Sequence, residues 1–287
     1  MPELPEVETV RRGLLMDLPG DTVLRVQVLR PDSIGCPGWR EFCRAMAGHT
    51  FQGIGRRGKY LLFDLDRHAG LVVHLRMSGR LLLREAPAPA SHLRVRMILS
   101  SGRELHFEDM RVFGRLWYVR PGQSWEAVVP ALAELGAEPL DGLSGAQLAA
   151  AFARKSQPVK SALLDQRLVA GIGNIYADEC LFRAGINPLR PAGDLRPGEL
   201  DRLASCIQQV LTEAIDLGGS TLRDYTDSRG VNGNYQEESW VYGRAGEPCR
   251  SCGTPVTRVK LAGRSAHFCS RCQPCKRARA RISGRRA

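Results

Sequence analysis

Between residues 22 and 119 the apolar positions fall in short runs: TVLRVQVL at 22–29, KYLLFDL at 59–65, GLVVHL at 70–75, HLRVRMIL at 92–99, RELHF at 103–107 and GRLWYV at 114–119. Gly, Pro and Asp punctuate them, and EAPAPAS at 85–91 reads as an exposed loop. Many short strands separated by turns predict a sandwich or a barrel. From Ser144 the spacing becomes helical, in SGAQLAAAFARK, PVKSALLD, NIYADECLFRAG and PGELDRLASCIQQVLTEAIDLGG. In the last of these Leu200, Leu203, Ile207, Val210 and Leu211 share one face, Pro197 suits the helix start and Gly218 the stop. Residues 120–143 hold Pro121, Pro130, Pro139 and Gly142, and the connection between the two halves belongs there.

A chain of 287 residues can bury a sizeable core, and the change of pattern divides it in two, with a small appendage. The opening MPELPEVETV carries three glutamates and no apolar run, so it is not a secretory signal. No stretch is long and apolar enough for a membrane span, and a cytoplasmic location is expected.

Charge changes the picture once it is located. The net charge is +11, yet the first 248 residues hold 30 basic and 30 acidic side chains. All of the excess lies from Cys249 onward, where 11 Lys and Arg meet no Asp or Glu. A wholly cationic end attached to a balanced body points to a polyanion.

Five of the nine cysteines crowd into residues 249–275. Cys249-x-x-Cys252 and Cys269-x-x-Cys272 stand 16 residues apart, the spacing of two knuckles whose thiolates converge on a structural Zn²⁺. His267 and Cys275 complicate the ligand set, since Cys269, Cys272 and Cys275 form overlapping pairs. The symmetric choice leaves His267 as a polar residue on the ribbon and Cys275 as a spare thiol. Arg258, Lys260 and Arg264 lie on the hairpin between the knuckles, where they can neutralise phosphates.

Pro2 behind Met1 would become a free secondary amine on methionine removal. Such an amine can attack a sugar carbon and form an iminium, with Glu3 and Glu6 near enough in sequence to move protons. Taken alone, these residues equally read as ordinary helix-start chemistry.

The segment MPELPEVETVRRGL resembles the N-terminal signature of the formamidopyrimidine-DNA glycosylases. KYLLFDL, HLRMSGR, EDMRVFGRLW, LLDQRLVAGIGNIYADECLFRAGINP, GGSTLRDY, VYGRAGEPC and the cysteine hairpin follow in that family's order, so the resemblance spans essentially the whole chain. It implies an α+β multidomain fold: an N-terminal β-sandwich with flanking helices at 1–130, a helical domain with a helix-two-turn-helix element at 131–245, and a zinc β-hairpin at 246–275. Residues 276–287 form a basic extension that departs from the family pattern and would add nonspecific DNA affinity.

The same resemblance implies a glycosylase and abasic-site lyase of base excision repair, acting on oxidised purines such as 8-oxoguanine and formamidopyrimidines. Pro2 would be the Schiff-base nucleophile, Glu3 the acid that assists glycosidic cleavage and Glu6 a proton-transfer and positioning group. Lys59 matches the lysine that grips the phosphate beside the lesion and aids the first elimination, and Arg264 the hairpin arginine tied to the second. Met77, Arg111 and Phe113 match residues that fill the gap left by an extruded nucleotide, although hydropathy equally allows Met77 and Phe113 in a core. His92, Lys155 and Asn174 match DNA contacts, and Asn174 sits where the GIGN turn meets a helix start, a place suited to phosphate. Gly218, Gly219, Ser220, Thr221, Leu222, Arg223, Asp224 and Tyr225 match a loop that closes over the damaged base.

Cys249, Cys252, Cys269 and Cys272 would hold one structural zinc. The expected partner is damaged duplex DNA, met by a monomer that needs no small-molecule cofactor. Three rival readings stay open: an endonuclease VIII-like enzyme for oxidised pyrimidines, a noncatalytic zinc-containing DNA binder, and an RNA-binding zinc ribbon.

Overall fold

The computed structural model describes residues 1–86, 91–220 and 233–275. It opens with helix α1 (Leu4–Asp17), capped by a box in which the Glu3 carboxylate accepts from the third helical amide and Glu6 reaches back to the Glu3 N–H. Strands β1 (Val23–Val28) and β2 (Ile34–Cys36), helix α2 (Trp39–Met46) and strands β3 (Phe51–Arg57), β4 (Tyr60–Leu65), β5 (Gly70–His74), β6 (Gly79–Glu85), β7 (Leu93–Leu99), β8 (Arg103–Asp109) and β9 (Arg115–Val119) follow.

They form two sheets, ordered β1-β7-β8-β6 and β2-β9-β5-β4-β3, antiparallel except where β2 runs parallel to β9. Period-two alternation sends Leu61, Phe63 and Leu65 inward against Leu81, Met97, Leu105 and Phe107 of the facing sheet. Val7, Val10 and Leu14 of α1, with Phe42 and Met46 of α2, close the ends of this core. The sandwich is thus the observed choice of the two predicted architectures. The opposite face of β4, β5 and β9 is not solvent-exposed either. Tyr60, Val72 and Val119 pack against Val129 and Leu132 of the connecting segment, which contains the short helix α3 (Trp125–Val128).

The second half comprises α4 (Gly145–Phe152), α5 (Val159–Leu164), α6 (Asn174–Arg183), α7 (Pro197–Asp216) and the single turn α8 (Tyr235–Glu238). Leu200, Leu203, Ile207, Val210 and Leu211 are all buried in its core. Leu4 lies in the same core, so the first turn of α1 belongs to the helical half although its later turns belong to the sandwich.

A seam of charge joins the halves. Glu138 accepts from Arg57 at 2.9 Å and from the Gly58 N–H at 2.9 Å, and also pairs with Arg56. Arg56 in turn meets Glu8 at 3.0 Å. Against the cost of burial, Arg11 and Arg56 hold the Glu8 carboxyl down at about 2. Strands β10 (Thr257–Leu261) and β11 (Arg264–Phe268) pair as the C-terminal hairpin. Among the described residues no helix is long and apolar enough to cross a membrane.

Candidate active site and nucleic-acid interface

Helix α6 positions the N-terminus. Its cap, Gly173, follows the turn glycine Gly171, and Leu4 N–H donates to the Gly171 carbonyl at 3.0 Å. A Cβ on Gly171 would lie 2.5 Å from Leu4 Cδ1, and one on Gly173 would lie 2.2 Å from Glu3 Cδ. Both glycines are therefore required by the approach of residues 3 and 4. The amides of Ile175 and Tyr176 donate to the two Glu3 oxygens at 3.0 and 3.4 Å. The acceptor on these helix-start amides is thus the protein's own Glu3 carboxyl group, at the place where a DNA phosphate was expected. Asn174 itself is half-buried, and its Oδ1 has no partner.

Glu6 is the hub behind Glu3. Its carboxylate accepts from Glu3 N–H at 2.8 Å, the Tyr176 hydroxyl at 2.5 Å and Ser220 N–H at 2.7 Å. Burial raises its pKa and the neighbouring Glu3 raises it further. Gly219, at φ +81°, lies so close that a Cβ would stand 2.9 Å from Glu6 Oε1. The first residues of the GGS segment are therefore fastened to the acidic N-terminus. Thr221 to Tyr225 of that segment lie outside the described residues, as does the basic extension from 276 to 287.

Lys59 enters from the start of β4. It is buried, and its ammonium donates to the Ile172 carbonyl at 3.0 Å. Burial lowers its pKa to about 8, with Arg264 pushing the same way while Glu3 and Glu6 oppose. Lys59, Arg264, His74, Arg76 and Arg167 line one cavity together with Met1. Pro2 is buried beside it in sequence. His74 was not singled out from the sequence. Burial, then Arg76 and Lys59, drive its pKa down to about 3, and its Nδ1 accepts from Arg76 N–H at 2.9 Å. The imidazole is therefore neutral with Nε2 free to donate.

The predicted wedge residues gather elsewhere on the sandwich. Met77 and Phe113 are 38% and 49% exposed, which removes them from any core, and the Arg111 guanidinium rests 4.9 Å from the Phe113 ring. His92 is exposed at the start of β7 with φ +60°. Lys155 is exposed in the turn after α4, on the flank that carries Asp165.

The four predicted thiolates come together. Cys249 and Cys272 Sγ are 3.9 Å apart, Cys252 and Cys269 Sγ 3.5 Å, and all four lie within 4.8 Å of one another. Tetrahedral zinc with bonds of about 2.3 Å separates its sulfurs by about 3.8 Å, so the donor set fits. Cys275 is exposed and outside the cluster.

His267 is no idle ribbon residue. It is buried, its N–H donates to Asp178 Oδ2 at 2.9 Å, and Lys160 bridges Asp178 Oδ1 at 2.7 Å and the Ser265 carbonyl at 2.5 Å. Next to Asp178, Glu179 accepts three amides, those of Trp240, Val241 and Tyr242. Helix α6 therefore holds the N-terminus at one end and the cysteine hairpin along its middle. Arg258, Lys260 and Arg264 are exposed on that hairpin.

Models of known families match this chain in three consecutive stretches: the formamidopyrimidine-DNA glycosylase N-terminal domain over residues 1–116, the H2TH domain of the same enzymes over 135–226, and a zinc finger found in FPG and IleRS over 246–274. With the fold and the four-thiolate cluster, they define a zinc-finger DNA glycosylase. Among curated proteins, the formamidopyrimidine-DNA glycosylase of Gloeobacter violaceus is 56% identical over 277 residues, covering 95% of this chain and 98% of its own. That of Desulfitobacterium hafniense is 47% identical, with 95% and 100% covered. The chain belongs to the formamidopyrimidine-DNA glycosylase family.

Solved structures agree in shape. A Lactococcus lactis FPG mutant in complex with a Fapy-dG containing DNA superposes with a TM-score of 0.87 at 36% identity, covering 95% of this chain and 100% of that one. The wild-type L. lactis enzyme with an oxidised-pyrimidine DNA gives 0.86 at 35%, with the same coverage.

Proposed function

We propose that this protein is a bifunctional glycosylase and lyase that removes oxidised purines, 8-oxoguanine and formamidopyrimidines, from duplex DNA. The observation that carries the reading is that Lys59 lines a cavity with Arg264 and, within electrostatic reach, faces the buried carboxyls of Glu3 and Glu6, which flank the N-terminal Pro2. A merely structural N-terminus has no use for a lysine held near pKa 8 beside two buried carboxylates.

In this reading Met1 is removed and Pro2 carries a free secondary amine. The amine attacks the anomeric carbon while the bond to the damaged base breaks, and the base leaves with a proton delivered from Glu3. Ring opening yields an iminium on Pro2. Loss of a C2′ proton then expels the 3′ phosphate, a second elimination expels the 5′ phosphate, and water frees the amine. Lys59 grips the phosphate beside the lesion and aids the first elimination, and Arg264 serves the second. Neutral His74 adds an N–H donor to the same strand. Met77, Arg111 and Phe113 fill the space left by the extruded nucleotide, their exposure suiting them to it. His92, Lys155 and Asn174 contact the backbone, and the segment from Gly218 to Tyr225 covers the extruded base. One zinc on Cys249, Cys252, Cys269 and Cys272 is structural.

The protein works as a monomer on damaged DNA, associated with the nucleoid in the cytoplasm and without a small-molecule cofactor. Its functional units are residues 1–130, 131–245 and 246–275. One similar structure holds an oxidised-pyrimidine DNA, which favours pyrimidine lesions as a second reading.

The test is borohydride trapping on a labelled duplex with 8-oxoguanine opposite cytosine, beside an oxidised-pyrimidine duplex and a protein with a blocked N-terminus. A covalent adduct on the purine, lost on blocking, is expected. Trapping on the pyrimidine alone replaces the substrate class, and tight binding with no adduct refutes catalysis.

A further inference from the structure

The wedge residues sit on two separate loops, and one buried carboxylate joins them. Met77 lies between β5 and β6, and Arg111 and Phe113 between β8 and β9. Asp109, 1% exposed at the end of β8, accepts the Ser78 hydroxyl at 2.6 Å and the Arg111 N–H at 3.1 Å on Oδ1, and the Gly114 N–H at 2.7 Å on Oδ2. The Arg111 N–H is shared with Ser78 Oγ, also at 3.1 Å. Ser78 is the neighbour of Met77, and Gly114 the neighbour of Phe113. The backbone of Asp109 closes a third side: its N–H donates to the His92 carbonyl at 3.0 Å, and its carbonyl accepts from Arg94 at 2.7 Å.

The conformations held this way are costly. Arg76, His92 and Val112 all stand in the left-handed region, at φ 56°, 60° and 57°. A β-branched residue such as Val112 stays there only where its surroundings over-determine it. Half-exposed wedges such as Met77 and Phe113 gain little from packing that would fix them, so their aim depends chiefly on the backbone beneath.

We propose that Asp109, through Ser78, is a positioning residue that clamps the two wedge loops into one register, and so sets how efficiently the enzyme holds a base out of the stack. The proposal rests on the glycosylase reading above. Asp109 touches no reacting atom. It acts through Met77, Arg111 and Phe113.

The test compares wild type, D109N, S78A and the double variant. D109N keeps the volume but turns an amide toward one of its three donors, and S78A removes only the bond between loops. Single-turnover excision is measured on an 8-oxoguanine duplex, and borohydride trapping at saturating enzyme on a duplex with a ready-made abasic site, which has no damaged base to extrude. A 2-aminopurine next to the lesion reports on stacking, and a melting curve on the fold.

Excision should fall roughly tenfold or more in D109N, as expected for losing a hydrogen bond to a charged group, and several-fold in S78A. The 2-aminopurine signal should fall with it, and the double variant should be no worse than D109N because both break one clamp. Trapping at the abasic site should stay within about threefold of wild type, since the chemical step is untouched. Wild-type excision rates in both single variants overturn the proposal, as does a loss of excision and trapping in equal measure alongside a lowered Tm. Failure of the wild type to excise 8-oxoguanine refutes the glycosylase reading instead.

Discussion

Replacing Gly173 by alanine asks whether the contact between the N-terminus and helix α6 is needed for chemistry. Gly173 has a φ of −127°, which alanine tolerates, so the substitution tests space alone. The new Cβ would sit 2.2 Å from Glu3 Cδ and 2.4 Å from Oε1, where carbon contacts need about 3.5 Å. The carboxylate must therefore move by more than about 1 Å. That movement breaks its bonds to the Ile175 and Tyr176 amides, which together are worth at most about 3–6 kcal/mol at the usual strength of charge-assisted bonds. A displacement of this size beside the reacting carbon should lower excision about a hundredfold. Single-turnover excision of 8-oxoguanine measures this, with binding to an uncleavable abasic analogue expected to change far less. Gly198 near the start of α7 has open space where a Cβ would go and supplies the control, G198A. Excision by G173A within about threefold of wild type, in a protein of unchanged Tm, would refute the claim that Glu3 must sit on these amides.

Lys59 gives a pH signature. Its ammonium is the dominant form below about 8 and is lost as pH rises through that value, so DNA binding and excision should decline above pH 8, and K59R should remove the break. Stability runs the other way: folding must desolvate the ammonium below pH 8, and this cost disappears as pH climbs toward the unfolded lysine value, which a melting series from pH 7 to 10 reads. Stripping the metal with a chelator, or C252S, should abolish DNA binding measured by anisotropy while Pro2 still captures a small aldehyde under borohydride; intact binding without metal counts against the hairpin as a DNA clamp. E138Q leaves Arg56 buried without its full partner, and should cost about 3 kcal/mol and several degrees in Tm by calorimetry.

The strand runs and the α4, α5, α6 and α7 helices were legible because each keeps a clear period and ends on Gly, Pro or a cap. Strand β3, with sequence FQGIGRR, was not, since two glycines and two arginines hide the alternation. Arg56 is a buried partner of Glu8 and Glu138, 48 and 82 positions away, and Arg57 also meets Glu138. The metal ligands needed only spacing. Pro2, Glu3 and Lys59 could be marked by resemblance, but nothing local said that the amides of α6 would be taken by Glu3. Nothing local marks Asp178 and Glu179 as special; they are buried because the cysteine hairpin and the 240–242 segment lie on top of them. His74 sits in an apolar strand run, and only the fold reveals Lys59 and Arg76 beside it. Long-range partners of this kind leave no period in a sequence.

The division of α1 between two cores has a consequence for synthesis. Leu4 is buried among residues that begin at Leu143, and its amide bonds to Gly171. The ribosome makes the first turn of the protein early and the surface that receives it some 170 residues later, on the order of ten to thirty seconds at ordinary rates of elongation. During that interval Glu3 has no Ile175 or Tyr176 amide to hold it, and the cavity that Arg167 and Arg264 help to line is incomplete. On the proposed reading, a nascent chain carries the Pro2 amine before Glu3 is seated on the α6 amides, and excision should become possible only once the helical half has closed over the first residues.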